Sequence, residues 1–248
     1  MMARCYIDRI SLTGQPDSDS YLCRLPVVRH LMEQSILSFS HPVTFFVGEN
    51  GTGKSTLLEA IAVAYGFNAE GGSRNFDFST EDTHSELYRH LTLSKSSYPK
   101  DGFFLRAESF YNAASYLNEI YASEFRTKQE TPYGEISLHE QSHGESFLAL
   151  VQNRFRGQGV YLLDEPEAAL SPTRQLSLLC LIDELVKRDS QFIIANHSPI
   201  LMAYPNAVIY QFGEDGIEQV DYRETEHYRV TRHFLENPEH MLSKLLDQ

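Results

Sequence analysis

No run of apolar residues in this 248-residue chain approaches the roughly 20 needed to cross a bilayer. The opening Met1-Met2-Ala3-Arg4-Cys5-Tyr6 lacks the apolar core of a secretory signal, so a cytoplasmic protein with no integral membrane segment is expected. Cysteine is sparse: Cys5, Cys23 and Cys180 lie far apart, with no C-x-x-C pair. That argues against a disulfide framework and against a cysteine zinc site, and leaves buried free thiols as the expectation. Basic residues are outnumbered 21 to 34, giving a net charge of −13. Nonspecific coating of nucleic acid rests on phosphate neutralisation, so it is disfavoured, although a local basic groove is not excluded. There is no sustained heptad and no internal repeat. The acidic residues Glu214, Asp215, Glu218, Asp221, Glu224 and Glu226 read as a solvated face.

What is present is concentrated at Gly48-Glu49-Asn50-Gly51-Thr52-Gly53-Lys54-Ser55-Thr56. The β-branched and aromatic run Val43-Thr44-Phe45-Phe46-Val47 before it predicts a buried strand. The apolar helix formers from Leu57 to Ala64 predict a helix after it. Strand, glycine-rich turn and helix form the context in which G-x-x-x-x-G-K-[ST] signifies a phosphate-binding loop. Glycines let several backbone N–H groups converge on one anion, and the positive end of the helix adds to them. Lys54 can reach the outer phosphates, and the Ser55 hydroxyl can ligate Mg²⁺. A nucleoside triphosphate is therefore the predicted ligand.

Residues 4–12 predict a first strand and Tyr21 to Val28 a second. Tyr21 is a candidate to stack on an adenine base, or is simply a sheet residue. Further strands are expected at Phe103–Leu105, Val160–Leu163 and Phe192–Ala195, with a hairpin from Ala207–Phe212 to Ile217–Val220. Helical spacing recurs over Glu108 to Arg126 and Glu145 to Arg156, from Pro172 to about Arg188, and in two C-terminal segments, Glu226–Leu235 and Pro238–Leu246. The alternation predicts a largely parallel α/β core.

Asp164 and Glu165 end the Val160–Leu163 strand, where ligands gather in α/β sheets. Asp164 is placed to hold the Mg²⁺ shell and Glu165 to polarise a water for in-line attack on the γ-phosphate. His197 ends the next buried strand, at the same predicted edge as Lys54 and Glu165. There its imidazole would sense the γ-phosphate through a hydrogen bond.

The order Gly48–Thr56, Ser142-His143-Gly144-Glu145-Ser146, Leu162–Leu170 and His197 resembles an ABC-type ATPase across almost the whole chain. It is most similar to the small stand-alone ATPases carrying GENGTGKST and an SHGE-type signature, and more distantly to the SMC and RecF heads. The resemblance implies a single domain over 1–248, a P-loop fold with a mostly parallel central sheet and an antiparallel β part. It also implies an inserted, mainly helical lobe near 68–141 and C-terminal helices at 222–248. Glu49 to Thr56 would bind ATP. Ser142, His143, Gly144 and Glu145, at a helix N-terminus, would meet the γ-phosphate held by a second copy. Two copies would thus sandwich two Mg·ATP in a head-to-tail dimer and open after hydrolysis.

The sequence departs from the family pattern in four places. His143 stands in place of glycine, Glu145 in place of glutamine, Ser171 in place of aspartate, and Glu108 in place of a glutamine after the Phe103–Leu105 strand. Glu108 could still touch the Mg²⁺ shell, or be a salt-bridged acid. The alternatives to a free-standing switch are a nucleic-acid-acting head of SMC or RecF character and the nucleotide-binding subunit of a membrane transporter. An ATPase acting on an unidentified protein partner is also compatible with the sequence.

Overall fold

The computed structural model describes residues 5–14, 16–34, 36–73, 85–107 and 143–246. Strand β3 (Val43–Gly48) lies near the middle of a six-stranded sheet and is buried along its whole length. It is flanked by β7 (Gln191–Ala195) on one side and β8 (Val208–Gly213) on the other. Beyond β7 come β6 (Gly159–Asp164) and β5 (Asp101–Arg106), giving the order β5-β6-β7-β3-β8-β9. The five strands from β5 to β8 run parallel; β9 (Gly216–Val220) closes the edge as an antiparallel hairpin with β8. A second sheet, of order β2-β1-β4, is antiparallel and built from β1 (Ile7–Leu12), β2 (Ile36–Ser38) and β4 (Leu91–Lys95).

Continuous apolar strands arise because both faces of the parallel sheet are covered. Alternate residues divide between two clusters. Phe46, Phe104, Leu162 and Ile193 point toward α1 (Pro26–Gln34), α2 (Lys54–Tyr65) and the antiparallel sheet. Phe45, Phe103, Tyr161, Leu163, Phe192 and Ile194 point the other way, toward α3 (His143–Arg154) and α4 (Pro172–Lys187). A short α5 (Pro199–Met202) follows β7, and α6 (Glu226–Glu236) and α7 (Pro238–Leu245) end the described chain. Among the described residues no helix is long and apolar enough to cross a membrane.

The stretch Tyr21 to Val28 is not a strand. Ser20 caps a 3-10 turn over Tyr21–Arg24, accepting from the Leu22 amide, and Pro26 then opens α1. Proline at a first helical position presets φ for helix, and Val27, Val28 and Leu31 then bury one helical stripe. The neighbours of β1 are instead β2 and β4. The thiols are free but not buried: Cys5 and Cys23 are half-buried and Cys180 is exposed. Of the stretch 68–141, the described part contributes β4 and β5 to the two sheets. The helix expected over Glu108 to Arg126, and with it Glu108, lies outside the described residues, as does Ser142. The acidic run from Glu214 to Glu226 is exposed at every one of its carboxylates.

Candidate active site

Because β5, β6, β7, β3 and β8 are parallel, their carboxyl ends share one edge, and the residues that follow them converge there. Backbone bonds continue past the strand ends: Glu165 N–H donates to Ala195 O at 2.9 Å and Asn196 N–H to Phe46 O at 3.1 Å. The loop after β3 is thereby held beside the turns after β7 and β6. Its glycines Gly48, Gly51 and Gly53 all have positive φ. Gly53 (φ 97°) also leaves no room for a side chain, since a Cβ there would lie 2.4 Å from Val27 Cγ1. The segment opening α1 thus packs directly on the loop. Tyr21 sits on the 3-10 turn just before that segment, 55% exposed.

Lys54 begins α2 and is 4% exposed. Its Nζ donates to the Gly48 and Glu49 carbonyls, both at 2.8 Å, while Thr52 Oγ1 donates to Glu49 O at 2.8 Å. Burial pushes the ammonium pKa below its ordinary value, and nearby Glu165, Asp164, Glu167 and Glu49 partly offset that. This cation is largely withdrawn from water and lies in the field of four carboxylates. Ser55, next on the first turn of α2, is half-buried.

The adjacent carboxylates of Asp164 and Glu165 have separate environments. Asp164 is buried at the last position of β6, with Arg106 Nε 3.4 Å from Oδ2. Arg106 also pairs with Glu59 of α2 at 2.6 Å, so one guanidinium clamps the end of β5 to the phosphate-loop helix and to Asp164. Glu165 has left-handed dihedrals, φ 50° and ψ 49°, unusual for a residue with a β-carbon and doubly so before a proline. Such a conformation costs about 1–3 kcal/mol. It turns the backbone sharply out of β6, leaving the Glu165 side chain partly open to solvent, with Oε1 3.5 Å from His197 Nε2.

His197 is held from three directions. Its backbone N–H donates to Glu167 Oε1 at 2.5 Å, its Nε2 faces Glu165, and its Nδ1 lies 3.0 Å from His227 Nε2. Burial and then the Lys54 charge lower its pKa, with Glu165 opposing. Of the expected signature, Gly144 is buried in the first turn of α3, where a Cβ would meet Ala169 O at 3.0 Å. Glu145 pairs with Arg174 of α4 at 2.9 Å. The start of α3 therefore packs on α4 and the Pro166–Ala169 turn after Glu165. Among the described residues, no group of three or more His, Cys, Asp or Glu is placed to hold a metal alone.

Arg106, Glu167 and His227 were not singled out from sequence. Arg106 carries the only advance signal of the three, as the basic residue ending the β5 run. Glu167 is held largely out of water beside two other acids, which pushes its carboxyl up to about 7. Desolvation is the main cause, followed in the same direction by Glu165 and Asp164; the His197 N–H opposes it. A carboxyl pKa raised on folding favours the native state while the group is protonated. That contribution is complete below the ordinary value of 4.5 and is lost as pH rises through about 7. Glu167→Gln keeps an oxygen for the His197 N–H and removes the charge. Its stability relative to the parent should therefore improve between pH 5 and pH 8, by about 3 kcal/mol or less. Urea midpoints at the two pH values test this, and an equal gap at both would refute it.

The chain is similar to proteins described as ATP-binding. The AAA_23 family, described as an AAA domain, matches residues 28–154. The chain is 25% identical over 166 residues to the xylose import ATP-binding protein XylG of Thermoanaerobacter pseudethanolicus, covering 61% of this chain and 33% of that protein. It is 29% identical over 177 residues to the tungstate uptake system ATP-binding protein TupC of Peptoclostridium acidaminophilum, covering 66% of this chain and 78% of that one. The chain thus spans only about a third of the length of XylG. The solved ATP-binding cassette MJ1267, from an ABC transporter, superposes with a TM-score of 0.53 at 17% identity, over 94% of this chain and 98% of that one. The fold is accordingly that of the ABC-type P-loop ATPases, and the chain belongs to the AAA_23 family of AAA domains.

Proposed function

We propose that this protein hydrolyses ATP with Mg²⁺ and uses the cycle to close and open a head-to-tail homodimer. The observation that carries the reading is the buried Lys54 ammonium. It is held by two loop carbonyls and lies within the field of Asp164, Glu165 and Glu167 at the end of a parallel sheet. The residues fit the ligand. A glycine loop with positive φ and a helix N-terminus supply anion contacts from Glu49, Asn50, Gly51, Thr52, Gly53, Ser55 and Thr56. The donors that would hold Mg²⁺, the Ser55 hydroxyl and the Asp164 carboxylate, are oxygens, with Glu108 as a further candidate. Their small number matches an ion that keeps waters and substrate phosphates as its other ligands. Bound there, Mg²⁺ neutralises charge on the phosphates.

The chain's own residues divide the remaining work. Lys54 neutralises the outer phosphates. Glu165, held out of the sheet by its left-handed turn, orients the attacking water and accepts its proton. His197 donates a hydrogen bond to the γ-phosphate and so distinguishes triphosphate from diphosphate. Tyr21, exposed before α1, offers a ring for the adenine. Ser142, His143, Gly144 and Glu145 present the start of α3 to the γ-phosphate of the second copy. ATP then shifts the equilibrium because it makes these contacts only in the closed dimer.

Ser142→Arg tests the shared site by placing a bulky group at that helix start. In a Glu165→Gln background it should bind Mg·ATP as a monomer, while Glu165→Gln alone dimerises. Light scattering at several protein concentrations reads the difference, and a normal yield of dimer in the double variant would refute the role of Ser142. The likeness to TupC favours a second reading, the nucleotide-binding subunit of a membrane transporter. Copurification with a membrane protein would select it over a free-standing switch.

A further inference from the structure

His227 lies on the first turn of α6, 30 residues beyond His197, and its imidazole reaches back to the strand-end histidine. The approach is built rather than incidental. The fully buried Thr225 caps α6, accepting from Tyr228 N–H at 3.3 Å and donating to Tyr222 O at 2.8 Å. Glu226 N–H donates to Gln211 Oε1 at 3.3 Å, which ties the same turn to β8. The two imidazole rings stand 5.2 Å apart, tilted at 58°, with Nδ1 of His197 3.0 Å from Nε2 of His227. Two ring nitrogens at that separation must share one proton, so one ring donates and the other accepts.

Proton counting favours one assignment. On its far side His197 Nε2 faces Oε1 of Glu165 at 3.5 Å. A carboxylate oxygen accepts, as does a phosphate oxygen, which favours hydrogen on the nitrogen facing them, but at 3.5 Å from a partly open side chain this preference does not fix the ring by itself. Burial holds both imidazoles below their ordinary pKa, helped at His197 by the Lys54 charge and at His227 by His197 and then Lys54, which favours one N–H on each ring. With that hydrogen on Nε2, Nδ1 of His197 is a bare acceptor, and the donor is Nε2–H of His227. The Nδ1 of His227 is then an unprotonated lone pair.

We infer that His227 is a positioning residue: by donating Nε2–H to Nδ1 of His197, it fixes that ring as the Nε2–H tautomer and aims its one donor at the γ-phosphate. The tautomer of a histidine is set by the bond its other nitrogen makes. The catalytic consequence rests on His197 being the phosphate sensor; the tautomer itself does not. Without a donor at position 227, the Nδ1–H form of His197 becomes accessible, and that form turns a lone pair toward an anion.

The experiment compares the full chain with His227→Phe, which keeps a ring and removes the donor, and with His227→Gln, whose amide N–H restores one. Nitrogen-15 histidine spectra at pH 7.5 read the tautomer directly, without nucleotide. His197 should be in the Nε2–H form in the parent and in His227→Gln, and mixed in His227→Phe. Turnover should fall about tenfold in His227→Phe, with KM for Mg·ATP within about twofold, and recover in His227→Gln. A parent His197 in the Nδ1–H form, or one that stays wholly Nε2–H in His227→Phe, would overturn the inference. If His227→Phe does not fold, the parent spectrum alone decides, since the Nδ1–H form there refutes the proposal. A parent with the expected tautomer and no ATPase activity would sink the proposed function and leave the tautomer assignment standing.

Discussion

Glu165→Gln should bind Mg·ATP as tightly as the parent and turn it over roughly 10²–10⁴-fold more slowly, the usual worth of a positioned general base. The amide occupies the same volume and keeps the left-handed turn, yet it cannot take a proton from water. The proposed role falls to this carboxylate rather than to its neighbours because of what each one touches. Asp164 is buried in contact with Arg106, and Glu167 accepts from the His197 N–H, while Glu165 is partly open and faces the imidazole. Phosphate release in single turnover, with nucleotide retention measured on the same sample, reads both halves of the expectation. Near-parent turnover would place the base elsewhere, with Glu108 and Glu167 the next to substitute. The variant also removes one negative charge from beside the bound phosphates, so ATP affinity should hold or rise.

Lys54→Ala should abolish measurable ATP binding. The ammonium supplies charge-assisted contacts worth about 1.5–3 kcal/mol each, which for two phosphate oxygens amounts to roughly 10²-fold or more in affinity. A second effect follows from the structure without nucleotide. Lys54 Nζ satisfies the Gly48 and Glu49 carbonyls and balances Asp164, Glu165 and Glu167. Its loss leaves those acids uncompensated and should lower stability as well as affinity. Equilibrium binding of a fluorescent ATP analogue, together with a denaturant midpoint, separates the two losses. Unchanged affinity in a folded Lys54→Ala protein would refute the phosphate-loop assignment.

These expectations draw unequally on local sequence. The geometry of the segment proposed to bind phosphate was legible because its requirements are local: an apolar strand, glycines able to take positive φ, and a lysine opening a helix are contiguous between Val43 and Tyr65. Asp164, Glu165 and His197 were legible for a related reason, since each ends a run whose unbroken apolarity marks a strand covered on both faces. The Tyr21–Val28 segment was misread because eight residues of mixed pattern fit either period, and the decision fell to Ser20 as a cap and Pro26 as a helix opener.

Arg106, Glu167 and His227 mark the other limit. Arg106 reaches Asp164 because β5 and β6 pair in a register that sets those two residues opposite each other. His227 reaches His197 because α6 starts beside β8, whose place next to β3 brings the C-terminal helices to the same edge as the loop. Periodicity and turn chemistry specify which face of an element is buried and where it stops, and those were enough for the strands of the parallel sheet and for the strand, glycine turn and helix from Val43 to Tyr65. Which strand ends become neighbours depends on the order β5-β6-β7-β3-β8, a property of long-range pairing that no single segment encodes. Tertiary structure alone therefore decided the strained turn at Glu165, the Arg106 clamp and the histidine pair.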